Sequence, residues 1–500
     1  KNQFSAPPVG FMTWYALKFE TSEKSLLENV YWQSEHLKEF GANCVWVDWE
    51  WQHSDMSGSE KKGIDTFNPN KIRYPKGLAH ISDEIKKCGF VPALWVGVTN
   101  DVNENVLLKQ NPDWVLKREA QWCGQWWIDP SHPDVVKKYI SDTFHKFMEW
   151  GYEAFKWDCL PMSLKIYDEN HKNFCDQTKT SEEALRDLIV AARKIIGNEK
   201  YMMSCSGETH RDITFAMDLF DGGRIGGDVF TWNEFIEFSL KKILRYICFN
   251  NIVLYTDADN VVLRKEFNTL NEAISRASLI SAAGLPYTFG DDLTKLEEER
   301  VEILKRNIPV LDIHPMDAVS LDQSLTVLLT NLSIAKEFEN WNIVNIFNVS
   351  EEDRQVEVNL QQNLYLKKDT KYLVYEFWKK EFLGIFENQF DTWIEQHQTK
   401  TFCVREYKNI PQIVSTSRHI TQGGLELNHV TWEGDTLRGN SNVVKGDSYR
   451  IVIYADGYEI EEVSDHFTSE KTEDNLFVAS ILPDRSGDID WEVKFKILGE

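Results

Sequence analysis

The stretch Ala154–Asp158, with the sequence AFKWD, is a short apolar run that ends in an acidic residue. It follows an amphipathic segment that opens at Ser131 and closes at Gly151, and glycine commonly ends helices. A second amphipathic segment, Glu182–Ile196, comes after it and leads to the next apolar run. This alternation predicts a buried strand between two helices, the repeating unit of a parallel sheet.

The same alternation extends in both directions along the N-terminal part of the chain and gives eight apolar runs. The runs are Val9–Trp14, Cys44–Asp48, Phe90–Val98, Ala154–Asp158, Tyr201–Cys205, Gly223–Val229, Ile252–Asp257 and Leu285–Asp291. A doubly wound open sheet is an alternative, but it gives no reason for eight units. We therefore predict an α/β protein with a catalytic (β/α)8 TIM barrel over residues 1–315.

The rest of the chain changes character from about Leu321, where strand-like segments replace the helices. Runs such as Ile343–Val349 and Tyr372–Phe377 are followed by a second β-rich stretch that includes Tyr449–Tyr454. We predict C-terminal antiparallel β-sandwich domains: an antiparallel β-domain over residues 316–408 and a second β-rich domain over residues 409–500.

Composition restricts the class of protein. The 500 residues include 55 Lys and Arg against 79 Asp and Glu, a net charge of -24, which disfavours a nucleic-acid partner because phosphate binding needs basic patches.

No run is long enough for a membrane span, and the chain starts at Lys1 without Met, so we expect an exported protein, extracellular or periplasmic. The eight scattered Cys lack metal-site spacing, and we expect no metal and no cofactor. The sequence leaves the oligomeric state open.

Acidic residues lie at or near the ends of five runs: Asp48, Asp158, Asp228, Asp257 and Asp291. The carboxyl ends of barrel strands form the face on which active sites lie, so these side chains are expected to converge on one pocket. A single such Asp is equally well explained as a helix cap, but capping is a poor explanation for five of them. Buried carboxylates are costly unless they are paired or used.

Two of these acids carry further signals. Lys156 precedes Asp158 by two residues, so both side chains point to the same side of a strand, where the ammonium favours an ionised nucleophile. A purely structural ion pair is the alternative. Asp228 ends the stretch Arg224–Asp228, whose glycines permit close approach of the backbone to a ligand. A general acid must keep its proton near the working pH, and the charge of Asp158 across the pocket would favour that.

Short motifs follow one another in a fixed order along the predicted barrel. They are Gly10–Trp14, Val47–Trp51, Asn68–Leu78, Leu94–Trp95, Asn111–Trp114, Trp127–Pro130, Lys156–Asp158, Ser204–Gly207, Arg224–Asp228, Asp257–Asp259 and Gly290–Leu293. In number and order they resemble the motifs of glycoside hydrolase clan D, the α-galactosidase families twenty-seven and thirty-six, although none is specific alone.

The resemblance implies a retaining, exo-acting hydrolase that cleaves terminal α-galactosides of an oligosaccharide or glycan, with a glycosyl-enzyme intermediate on Asp158 and Asp228 as acid/base. The two carboxyl groups are then expected roughly 5–6 Å apart. The residues expected to bind the substrate are Trp14, Asp48, Trp49, Trp95, Lys156, Cys205, Gly207 and Arg224.

Two positions depart from the clan's pattern. Trp49 stands where the α-galactosidases carry a second Asp, and that Asp pair normally binds O4 and O6 of the sugar. Ser206 stands where some members of family twenty-seven carry Glu, and serine is found there where an N-acetyl group must fit. An α-N-acetylgalactosaminidase, a β-L-arabinopyranosidase and an α-glucan-releasing enzyme are therefore alternatives within the clan. A non-catalytic carbohydrate-binding protein is the alternative from another class.

Overall fold

The computed structural model of the protein describes residues 4, 6–52, 68–101, 106–121, 124–205, 215–312, 314–315, 317–324, 326–472 and 475–498. The chain divides into two compact units. The barrel unit comprises Lys1–Phe267 and Leu285–Glu297, and the β unit comprises Asn268–Gly284 and Glu298–Glu500. The division into domains at residues 1–315, 316–408 and 409–500 stays a prediction.

A ring of parallel strands forms the centre of the barrel unit. The strands are β1 Val9–Met12, β2 Cys44–Val47, β3 Val91–Val96, β4 Ala154–Trp157, β5 Tyr201–Ser204, β6 Gly222–Arg224, β7 in two parts, Tyr255–Asp257 and Asn260–Val261, and β8 Tyr287–Phe289. Each strand pairs with the next along the chain, and β8 pairs back with β1. The first part of β7 pairs with β6 and the second with β8, which closes the ring. The predicted barrel is confirmed.

Side chains fill the interior of the ring. Met12, Trp46, Ala93, Ala154 and Met203, from five neighbouring strands, belong to one buried cluster. Inward-facing positions alternate along each strand, which is why residues two apart share the interior. The centre of the barrel is therefore packed, and a ligand can be accommodated only at one end of the ring.

The helices mostly follow the predicted amphipathic segments. The α-helices are Thr13–Leu17, Glu23–His36, Gly77–Lys87, Val106–Gln110, Ile140–Glu149, Leu160–Asn170, Ser181–Ile196, Trp232–Glu234, Lys241–Tyr246, Leu270–Ala282 and Glu298–Asn307. Shorter helical segments are Lys18–Glu20, Trp49–Gln52, Pro112–Trp114, Val135–Tyr139, His171–Asn173, Phe235–Leu240, Ile247–Phe249 and Leu293–Lys295. Thr180 and Glu183 form a capping box that fixes the start of Ser181–Ile196. Within the described ranges, no helix is long and apolar enough to cross a bilayer.

Two features of the barrel unit differ from the sequence pattern. A three-stranded antiparallel sheet follows β3 and consists of Asn100–Asp101, Val115–Gln121 and Gly124–Ile128. The sixth apolar run, predicted over Gly223–Val229, is a strand only over Gly222–Arg224. The side chain of Arg224 donates to the carbonyl oxygen of Gly227 at 2.7 Å, which stabilises a loop where the strand would have continued. Asp228 therefore lies beyond the strand end.

Antiparallel strands make up most of the β unit. In spatial order, its first sandwich has a sheet of Asp317–Ser320, Val327–Ala335, Asn340–Asn348, Thr399–Glu406, Tyr372–Glu376 and Glu381–Phe386, and a second sheet of Arg354–Asn359 and Gln389–Ile394. The second sandwich has a sheet of Gln412–Thr416, Tyr449–Tyr454, Leu476–Ile481 and Thr468–Lys471, and another of Leu427–Glu433, Thr436–Val443, Gly487–Ile497 and Tyr458–Val463. Separate buried cores fill the two sandwiches. The predicted C-terminal β-sandwiches are confirmed.

Candidate active site

The carboxyl ends of the barrel strands carry most of the predicted site residues. Asp48 directly follows β2, Trp95 lies in β3, Cys205 follows β5 and Arg224 ends β6. Asp48, Trp95 and Arg224 are almost entirely buried, and Cys205 is partly buried. Because parallel strands end on the same face of a barrel, these side chains lie around one opening.

The carboxylate of Asp158, directly after β4, is held at both oxygens. Its Oδ2 accepts a hydrogen bond from Nε1 of Trp95 at 2.9 Å, and its Oδ1 accepts one from the backbone N–H of Cys159 at 2.6 Å. Cys159 has a left-handed backbone with φ 66° and precedes the helix Leu160–Asn170, so the chain turns sharply after Asp158. The two N–H donors fix the direction in which the carboxylate points.

Lys156 forms a buried ion pair with Asp48. Its Nζ lies 3.0 Å from Oδ2 of Asp48, and the two side chains are 4% and 3% exposed. Burial alone would lower the pKa of Lys156, but the charges of Asp48, Cys205 and Asp158 together outweigh it and raise that pKa above the usual value. The observed ion pair of Lys156 is therefore with Asp48, and the role of Lys156 toward Asp158 stays a prediction.

Asp228 is contacted from two sides in the loop after β6. Nε1 of Trp14 donates to its Oδ2 at 3.2 Å, and Nη2 of Arg224 lies 3.3 Å from its Oδ1. Burial favours a higher pKa for Asp228, but Arg224 and then Lys156 outweigh it and lower this pKa below its usual value. The sequence predicts instead that the charge of Asp158 keeps the proton on Asp228. This prediction is wrong because two cations, Arg224 and Lys156, favour the ionised form.

The thiol of Cys205 lies beside Arg224, with 3.8 Å between its Sγ and Nη1 of Arg224. Burial raises the pKa of the thiol, and the charges of Asp158 and Asp228 both add to the increase. The separation of the two carboxyl groups stays a prediction.

Two residues that were not among the predicted site residues, Tyr15 and Asp259, lie beside Asp228. Oδ1 of Asp259 is 3.0 Å from Nη1 of Arg224, and the Tyr15 hydroxyl lowers the pKa of both carboxyls. Burial raises the pKa of Asp259 to about 6 against the opposing effect of Arg224, and Asp228 adds to the increase. The motif Asp257–Asp259 was a signal for Asp259, whereas Tyr15 follows Trp14 without any pattern of its own.

An aromatic cluster lines the same face. The ring centroids of Trp14 and Trp49 are 5.3 Å apart, and Phe19 lies 5.4 Å from each of them. Trp49 also lies 6.3 Å from Trp95. An apolar wall thus occupies the position at which the clan pattern has a second carboxylate. Phe19, in the short helical segment after Leu17, gave no sequence signal.

Gly226 is required by packing rather than by a ligand. A Cβ there would lie 1.7 Å from the carbonyl oxygen of Phe238, in the π-helical segment Phe235–Leu240. Gly207 and Ser206 lie outside the described residues. Among the residues that are described, no group of three or more His, Cys, Asp and Glu is arranged to bind a metal ion.

Residues 2–207 match the sequence model of the melibiase family. No curated protein sequence matches the chain. This family match confirms the predicted resemblance to clan D. The class of enzyme that it supports is a glycoside hydrolase.

Solved structures of clan members share the fold. A GH27 β-L-arabinopyranosidase from Geobacillus stearothermophilus, in complex with arabinose, is 17% identical with a TM-score of 0.66, covering 81% of this chain and 98% of its own. A putative α-N-acetylgalactosaminidase from Bacillus halodurans C-125 is 16% identical with a TM-score of 0.63, covering 81% and 99%. α-Galactosidase I from Mortierella vinacea is 15% identical with a TM-score of 0.58, covering 81% and 98%.

Proposed function

We propose that the barrel unit is a retaining, exo-acting glycosidase that removes terminal α-linked galactose from an oligosaccharide or glycan, with Asp158 as nucleophile and Asp228 as acid/base. The unequal environment of the two acids is the observation that supports this most directly. Asp158 is fixed at both oxygens by N–H donors, as an attack along one line requires. The side chain of Asp228 is 54% exposed and can reach both a leaving group and water.

The reaction proceeds in two displacements. First, a carboxylate oxygen of Asp158 bonds to C1 of the sugar while the bond from C1 to the leaving oxygen breaks, and Asp228 gives its proton to that oxygen. Next, the ionised Asp228 takes a proton from a water molecule as this water attacks C1, and Asp158 departs as a carboxylate. Each displacement inverts C1, so the product keeps the configuration of the substrate.

The glycone is recognised by the ion pair of Lys156 and Asp48, whose groups can donate to and accept from sugar hydroxyls. A β-L-arabinopyranoside is the second candidate, and the apolar wall around Trp49 favours it. This pentose has the ring configuration of α-D-galactose but lacks the hydroxymethyl group. Trp49, packed against Trp14 and Phe19, does not supply the carboxylate that would accept from this hydroxyl, and the loss of such a hydrogen bond costs about 1–3 kcal/mol. A sugar without that hydroxyl avoids this cost.

The test is hydrolysis of 4-nitrophenyl α-D-galactopyranoside by the parent and by Asp158→Asn, with 4-nitrophenyl β-L-arabinopyranoside in parallel. We expect turnover by the parent, an initial product of unchanged anomeric configuration by NMR, and a loss of at least about a thousandfold in the variant. A higher kcat/KM on the arabinoside would assign the glycone to the second candidate.

The matched control is Asp291→Asn. Asp291 is also a buried acid at a strand end, but it pairs with Arg264 at 2.8 Å, and we expect its variant to keep turnover. An Asp158→Asn protein as active as the parent would overturn the assignment of the nucleophile. Sugar binding by the parent without turnover of either glycoside would favour the carbohydrate-binding alternative.

A further inference from the structure

Arg224 lies between two carboxylates. Its Nη1 is 3.0 Å from Oδ1 of Asp259, and its Nη2 is 3.3 Å from Oδ1 of Asp228. Nη2 also donates to the carbonyl oxygens of Gly226 and Gly227, at 3.1 and 2.7 Å. One planar cation therefore contacts both the Asp228 carboxylate and the loop that carries it.

Asp259 contacts the same loop from the other side. Its Oδ2 accepts a hydrogen bond from the backbone N–H of Val229, the residue after Asp228, at 2.8 Å. It lies where β7 is interrupted, with a left-handed φ of 74°, and its own N–H donates to Oδ1 of Asp257 at 2.7 Å. Its side chain is only 2% exposed. An almost inaccessible carboxylate in this position acts through its neighbours and not by touching the substrate.

Among the described residues, the titratable and charged groups that act on Asp259 include Arg224, Asp228, Tyr15, Lys156 and Asp257. Lys156 has its own partner in Asp48, which leaves Arg224 to be shared between two carboxylates. Each carboxylate reduces the positive charge that the other experiences, so the two titrate as a coupled pair, and once Asp259 is ionised its charge makes the ionised form of Asp228 less favourable.

We propose that Asp259 is a positioning residue for acid catalysis. It accepts a hydrogen bond from the backbone of Val229, which fixes the loop that carries Asp228, and it pairs with Arg224. Because Arg224 is then shared between two carboxylates, it stabilises the ionised form of Asp228 less. The inference rests on the proposed acid/base role of Asp228. In Asp259→Asn the whole guanidinium becomes available to Asp228, and proton donation becomes harder. The effect should be largest for leaving groups that need a proton and smallest for those that depart as stable anions.

The kinetic test compares a methyl glycoside with a 2,4-dinitrophenyl glycoside of the same sugar. Asp228 must be protonated, so activity is lost as the pair of Asp228 and Asp259 gives up its last proton, and this alkaline limb of kcat/KM reports the free enzyme. In Asp259→Asn we expect the limb for the methyl glycoside to move down by about one pH unit, with a loss of about tenfold above it. The dinitrophenyl glycoside should lose less than about twofold. An unchanged limb, or equal losses on both substrates, would overturn the proposal.

Asp259→Glu separates charge from position. It keeps the carboxylate, so its alkaline limb should stay at the position of the parent even where the longer side chain slows turnover. A limb that moves equally in the Glu and Asn variants would show that the charge of Asp259 is irrelevant. Asp221→Asn serves as the control, with both substrates and the limb unchanged, because Asp221 directly precedes β6 at the opposite end of the strand and pairs with Arg193 at 2.7 Å.

A measurement without substrate distinguishes this inference from the proposed function. Nε1 of Trp14 donates to Oδ2 of Asp228, so its indole NMR resonance, assigned with Trp14→Phe, reports the ionisation of Asp228. We expect a lower titration midpoint in Asp259→Asn than in the parent. Equal midpoints would overturn the role of Asp259. A shifted midpoint in a protein that cleaves no glycoside would leave that role standing and overturn only the assigned reaction.

Discussion

Trp95 is the residue whose replacement tests most directly how Asp158 is oriented. Its indole N–H is one of the two donors to the carboxylate, at 2.9 Å, and its side chain is 1% exposed. Trp95→Phe keeps most of the apolar volume and removes that donor. A hydrogen bond to a charged group contributes about 1.5–3 kcal/mol, so we expect kcat to fall about 10- to 100-fold. Steady-state kinetics on the preferred nitrophenyl glycoside measures the loss.

Trp157→Phe is the matched control. Trp157 lies in β4 next to Asp158 in the chain, with its ring centroid 5.5 Å from that of Phe144, and its indole N–H has no hydrogen-bond partner among the described residues. The two variants create similar cavities, so their Tm values should fall by similar amounts. Only Trp95→Phe should reduce kcat strongly, and equal losses of kcat would mean that packing, not the donor, orients Asp158.

At the scale of elements, the second β-sandwich depends on a missing side chain. Gly439, in the strand Thr436–Val443, pairs with Trp491 across the sheet. A Cβ at Gly439 would lie 2.2 Å from the indole ring, and Trp491 is fully buried. We expect Gly439→Ala to lower the free energy of unfolding by about 1–3 kcal/mol, measured by urea denaturation. Adding Trp491→Leu should cost less in this variant than in the parent, and strictly additive effects would contradict the clash.

The barrel strands show what sequence patterns can predict about secondary-structure elements. The strand–helix alternation located the eight barrel strands, except for the second part of β7, Asn260–Val261, because burial on both faces gives continuous apolar runs. The alternation predicted a sixth strand that is too long. The second half of Gly223–Val229 is a loop, which is held by hydrogen bonds from Arg224 and to Asp259. Contacts between a side chain and a distant backbone leave no periodicity in the sequence.

The residues of the candidate site could also be predicted only in part. Asp158 and Asp228 could be selected because strand ends converge in a barrel and because the motifs resemble those of clan D. Tyr15 and Phe19 could not, since they reach the site through the short helical turns after β1, whose direction depends on tertiary packing. The lowered pKa of Asp228 was also beyond sequence reasoning, because it results from the distances to Arg224 and Lys156.

For the whole molecule, buried titratable groups in the two units give stability opposite dependences on pH. Burial raises the pKa of Asp259, in the barrel unit, to about 6, so the stability associated with its neutral form is present at low pH and lost as the pH rises through that value. In the β unit, burial and secondly Arg418 lower the pKa of His419 to about 3. Its contribution is complete above the unfolded value of about 6.5 and is lost as the pH falls.

Calorimetric Tm values of the parent, Asp259→Asn and His419→Gln at about pH 4.5 and about pH 7 test this opposition. On going from the lower to the higher pH, Asp259→Asn should improve relative to the parent, because only the parent must ionise a buried acid. His419→Gln should worsen relative to the parent, since the parent no longer has to exclude a proton from His419. Relative Tm values that change in the same direction for both variants would contradict the assignment, because a common direction indicates a general effect of net charge rather than two local titrations.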